Sequence, residues 1–170
     1  MRPHAFAIVL GLIGMTMFAG TLPATRVALE GLGPGFIAMG RAVVAASAAG
    51  IALALLQPGR PRGGDMWGIA AISICLVAGF PLFTGLAMQT VGAGHGGVVL
   101  AILPIATAVA ATIVGGERPG IPFWILGAVG AALVLVFTLS DSGWRVEPGD
   151  VFLLCAAISA GFGYAFSGKL

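Results

Sequence analysis

The chain has 170 residues, 59% of them hydrophobic and only 8% charged, with a formal charge of +2. A soluble domain usually carries about 25% charged residues, so too little charge is present here to cover a water-facing surface, and lipid must be the solvent. The few basic residues are neither clustered nor interleaved with stacking aromatics, so nucleic acid is not an expected partner.

Met1–His4 is a short basic leader to the apolar run Ala5–Gly20. A cleaved signal peptide fits poorly. Met17 would occupy the upstream small-residue position if Ala19 were the last signal residue, and the apolar pattern resumes around Pro23. The reading is a first spanning helix over Ala5–Leu29, bent at Pro23 and closed by Arg26 and Glu30. A turn over Gly31–Gly35 leads into helix two, Pro34–Leu56, where Pro34 suits the first turn. That helix is rich in alanine and glycine and carries Arg41. Gln57–Asp65 is a polar connector holding Arg60 and Arg62.

From Met66 to Gly116 there is no Lys, Arg, Asp or Glu. Two apolar helices are expected, Trp67–Val91 and Val98–Gly116, folded back at the glycine-rich turn Gly92–Gly97. Each is long enough to cross a core about 30 Å thick at about 1.5 Å per residue. Pro81 and Pro104 fall in mid-helix, as Pro23 does in helix one. A proline frees a carbonyl that lipid cannot satisfy, so these helices should face protein or a wet cavity. Gly115–Gly120 is a tight turn with Glu117 and Arg118. Helix five is expected over Ile121–Leu139, with Gly127 and Gly130 on a small-residue face. Ser140–Asp150 is the most polar loop, and Val151–Gly168 starts a sixth span. The fold class is therefore all-α, a polytopic bundle of transmembrane helices whose 28 glycines suit close helix packing.

Alternating the loops places Arg2, Arg60, Arg62, Arg118 and Lys169 on one side and Arg26 and Arg145 on the other. The positive-inside rule then puts the amino terminus in the cytoplasm, for a multi-pass protein of the cell inner membrane.

Candidate binding residues are the polar ones in or near apolar spans: Arg41, Thr16, Thr84, Gln89 and His95. Each has a plainer reading beside it. Threonine commonly returns its hydroxyl to the preceding helical turn, and an interfacial histidine often just faces water. Handling a proton or gating a ligand would use a histidine's titration near neutrality. Arg41 sits about 10 Å along helix two at about 1.5 Å per residue, short of the midplane, where it can snorkel or pair with Glu30 or a carbonyl freed by Pro23. Ala45, Ala48 and Ala52 continue its face, which favours a bundle-facing arginine able to meet an anionic group. Gly92–Gly97 satisfies G-x-G-x-x-G, but its flanks are membrane-length helices rather than a strand and a soluble sheet, so a nucleotide fingerprint is not expected. Cys75 and Cys155 lie far apart in apolar runs and give no metal spacing. Without a paired nucleophile and base or two intramembrane acids, no enzyme, cofactor or metal is expected.

In sequence order, Pro23, Arg26–Ala28, Gly33-Pro34 with Arg41, Gly85-Leu86-Ala87-Met88, the 92–97 turn, Pro104, Glu117, Trp124 and Gly127 form a pattern. It resembles the EamA-like domain of the drug/metabolite transporter superfamily, over residues 5–140. That resemblance implies ten helices in two inverted five-helix repeats. Residues 5–140 would be the first repeat, and 150–170 the first helix of a truncated second one. It also implies transport of a small organic metabolite or drug by alternating access, with the site near the midplane between repeats. The partners implied are a small-molecule substrate, the lipid bilayer, and a second five-helix repeat or a second copy of the chain. The rival expectations are a small dual-topology dimeric multidrug-type carrier subunit and a non-transporting membrane scaffold.

Overall fold

The computed structural model describes residues 3–56, 61, 63–141, 143 and 145–170. Arg2, Arg60 and Arg62, which carried part of the orientation argument, lie outside them. Among the described residues six helices are long and apolar enough to cross a membrane, and there is no strand. The first span is α1 (Pro3–Ala19) joined at Gly20 to α2 (Thr21–Ala28), and the second is α3 (Pro34–Leu56). The third runs from α4 (Asp65–Ile72) through a widened turn, Ser73–Gly79, into α5 (Phe80–Ala87). The fourth is α6 (Ala93–Val99), a tight turn at Leu100–Ile102 and α7 (Leu103–Gly115). The fifth is α8 (Ile121–Asp141) and the sixth α9 (Pro148–Ser167).

The prolines explain the two irregular turns. Pro81 returns no bond to the helix, and the turn before it opens to an i→i+5 pattern in which Phe80 N–H donates to the Cys75 carbonyl. Pro104 is preceded instead by a 3₁₀ turn, in which Leu103 N–H donates to the Leu100 carbonyl. Both adjustments keep backbone groups bonded where lipid offers no partner.

The glycine run at 92–97 is mostly helix rather than turn. Gly92 alone is extended, at φ −74° and ψ 155°, and the fourth span begins at Ala93. Glycine favours turns in water, but an unbonded backbone in this setting is costly enough to override that preference. A second reason is room: a Cβ on Gly96 would lie 2.5 Å from Met88 Cε. At its other end the fourth span stops at Gly116, whose φ of 70° is a left-handed cap open to glycine.

The sixth span is the core of the bundle. It packs antiparallel on the third and also lies against the fourth. A Cβ on Gly161 would meet the Ala106 backbone carbonyl at 2.9 Å, and one on Gly163 would run into Leu76. Such approach at backbone level maximises dispersion contact, which replaces the hydrophobic effect as the glue between helices in lipid. Ser159 Oγ donates to the Cys75 carbonyl at 2.8 Å, so the widened turn is held from across the interface. Leu22, Met88, Val91, Val99 and Leu153 form a tight cluster at the end of the bundle away from the amino terminus.

Candidate functional site

Two clefts flank the break in the first span. Pro23 has no N–H to return to the Ala19 carbonyl, and the helix is interrupted at Gly20. A cleft of about 390 Å³ lies on one side, between the first span and the third and fourth. Phe18, Pro23, Phe80, Gly94 and Leu100 are among its walls. The Phe18 and Phe80 rings stack there, with centroids 6.0 Å apart and planes inclined by 19°. On the other side, between the first and second spans, is a cleft of about 420 Å³ with Thr25, Ile37 and Arg41 in its walls. Thr21 borders both. One cleft is thus walled by aromatic and apolar side chains, the other mostly by small apolar residues with Thr21, Thr25 and Arg41 among them.

The bundle end beyond these clefts is shut by polar ties. The Arg26 guanidinium donates to the carbonyls of Met88 and Val91, the latter at 3.1 Å, and so joins the first span to the frayed end of the third. Those carbonyls close a helix whose last turn lacks its own donors, and an arginine there also suits the helix dipole. His95 Nε2 lies 2.7 Å from Asp150 Oδ1, which joins the fourth span to the sixth. Asp150 Oδ2 accepts the Glu147 N–H at 2.9 Å, so the same carboxylate caps the sixth span.

Of the candidate binding residues, only Arg41 borders one of the two clefts, while Pro23 lines the other. Arg41 is exposed, as are Ala45, Ala48 and Ala52, so the alanine face continuing from it is not packed within this chain. Among the described residues no bond ties its guanidinium to Glu30 or to a backbone carbonyl. Thr16 donates to the Leu12 carbonyl at 2.8 Å. Thr84 is fully buried and its hydroxyl has the Phe80 carbonyl at 2.8 Å and the Pro81 carbonyl at 3.1 Å. Both follow the ordinary back-bonding of helical threonine. Gln89 is exposed in the turn after α5. His95 is turned into the bundle rather than toward water, its side chain 8% exposed. Sequence reasoning passed over Phe18, Phe80, Thr21 and Asp150. Glu147-Pro148-Gly149-Asp150 was the signal for the last of these, because proline at the first helical position followed by an acid two residues on is a helix start.

Residues 5–139 match the EamA-like transporter family. The chain belongs to that family. It is 39% identical over 160 residues to a protein of Bacillus subtilis (strain 168) described as the uncharacterized transporter YdeK. The alignment takes in 94% of this chain and 56% of that relative, so the EamA-like chain spans little more than half the relative's length. No solved structure matches it. Family and spans together make it a multi-pass membrane protein of a transporter family, which points to transport rather than catalysis.

Proposed function

We propose that the EamA-like chain supplies the first five-helix repeat, and the opening helix of the next, of a carrier for a small organic metabolite or drug. The carrier works by alternating access across the cytoplasmic membrane, with the amino terminus inside. The observation that carries this reading is the pair of clefts flanking the broken first span. A helix interrupted at a glycine and a proline is a hinge, and solute-sized space lies on both sides of it. The aromatic side accepts an apolar body, and Arg41 on the other side offers a planar fork to a carboxylate or similar anion. A second repeat, or a second copy, would complete the walls.

The test is uptake by a carrier containing this chain, reconstituted with candidate metabolites at matched protein levels. Arg41→Lys keeps the charge but loses the two-pronged hydrogen bonding, and the expected result is a fall in transport of about tenfold with normal insertion, the loss of roughly one charge-assisted bond. Unaltered uptake in both the Lys and Gln variants would remove Arg41 from the site. Reporter fusions at Arg60 and Arg145 should read cytoplasmic and external; finding both on one side would overturn the topology.

A further inference from the structure

The His95–Asp150 contact has no part in the clefts, and its chemistry is distinct from theirs. The two side chains stand 2.7 Å apart and are only 8% and 6% exposed. They come from positions 55 residues apart, each in the first turn of its span. Imidazole is the side chain whose ordinary titration falls between about pH 5 and about pH 8. A neutral imidazole N–H can donate to the Asp150 carboxylate, and with its second proton His95 adds the attraction of opposite charges to that bond. Without that proton the attraction of opposite charges is gone, although both groups stay withdrawn from water.

We propose that His95 and Asp150 form a proton-binding site that ties the fourth span to the sixth. While the imidazole holds its second proton, the two helix starts are drawn together. When the proton leaves, that pull weakens to a hydrogen bond. The proposal deepens the transport reading by giving the carrier a proton as its coupling ion, and it rests on that reading only for the use made of the proton. The charged groups facing this end come from every neighbouring element. Arg26 of the first span is committed to the Met88 and Val91 carbonyls. Glu30 and Arg145 are exposed on the connecting turns, and Glu147 is half-buried just ahead of Asp150. Asp141 closes the fifth span.

A further polar group lies on the far side of Asp150. Asp150 and Thr138 both line a pocket of about 140 Å³ between the fourth, fifth and sixth spans. The Thr138 hydroxyl is buried and has no hydrogen-bond partner among the described residues. The hydroxyls of Thr16, Thr25, Thr84 and Thr107, by contrast, all return to carbonyls of the preceding turn. The pocket has that hydroxyl on one wall and the carboxylate on another, among otherwise apolar side chains.

Backbone hydrogen exchange of the chain in lipid nanodiscs, followed over residues 93–99 and 148–154, tests the site without any flux measurement. Corrected for the intrinsic rate, exchange in both segments should slow roughly fivefold to tenfold between about pH 8 and about pH 5, the gain of an ion pair over a hydrogen bond from the neutral ring. Residues 103–115 should not share that response. His95→Gln and Asp150→Asn should abolish it, and His4→Gln, which removes the other histidine, should leave it intact. Asparagine keeps an oxygen for the Glu147 N–H, so the start of the sixth span is preserved. Protection that does not vary with pH in the unsubstituted chain, or an unchanged response in His95→Gln, would overturn the proposal. Either outcome leaves the transport reading standing, and absent transport would leave the proton site standing.

Discussion

The second and sixth spans are built from similar material and meet opposite fates. They have 23 and 20 residues and are apolar, with alanine and glycine throughout. Nine residues of the sixth are buried, against Ala38 alone in the second, among the described residues. A Cβ on Gly50 would meet nothing within 4 Å, while one on Gly161 collides with backbone. Small residues permit close approach but do not command it. The sixth span also carries polar ties to its neighbours: Asp150 to His95, Ser159 to the Cys75 carbonyl and, just past its end, Lys169 to the Val114 carbonyl. Ser47 in the second span bonds only backward, to the Val43 carbonyl of its own helix. With lipid as apolar as the side chains, backbone fit and cross-helix bonds decide which helix becomes the core.

The sharpest way to break this comparison is to enlarge one glycine in each span. Gly161→Leu should cost about 3 kcal/mol or more, because the Ala106 backbone must move. Gly50→Leu should be neutral by the same reversible unfolding in micelles, and equal costs would end the distinction. Next in size is Arg26→Gln, which should lose about 1.5–2 kcal/mol by leaving the end of the third span short of charged donors. The loss should appear as fraying of residues 86–91 in hydrogen exchange. Ser159→Ala should cost about 0.6–1 kcal/mol, in line with cross-helix bonds in lipid, with Ser47→Ala near zero as its control. The smallest effect is expected from Thr138→Val, which replaces an unpartnered hydroxyl by a methyl and should raise the unfolding midpoint by up to about 1 kcal/mol of stability. A loss of stability there would show that the hydroxyl is bonded to water in the pocket.

The spans themselves were legible because length and apolarity suffice to specify a membrane helix. Irregular turns lie beside Pro23, Pro81 and Pro104, since a missing N–H acts locally. Which helix is central was not legible. That depends on how backbones fit across sequence distances, such as Gly161 on Ala106, which periodicity does not register. The same blindness hid the His95–Asp150 pair, whose members are separated by two helices and two turns. Arg41 is a separate case. Its alanine face was read as a packing surface, yet Ala45, Ala48 and Ala52 are all exposed in this chain. The glycines at 92–97 misled because turn preference is a property of chains in water.

The widened turn at Ser73–Gly79 also sets the pitch of the contact it sits in. Gly68 faces Leu170, Leu76 faces Gly163 and Gly79 faces Ser159, while Phe80 clusters with Ala156 and Ala160, and Met88 shares a cluster with Leu153. A straight helix turning once every 3.6 residues or so would swing such a row away from a straight neighbour well before its end. An i→i+5 turn takes in more residues per revolution and delays that drift. The third span therefore keeps one stripe on the sixth from end to end without either helix having to coil tightly around the other. A relative one residue shorter between Ser73 and Gly79 would have to recover that phase by supercoiling or by tilting the two helices apart.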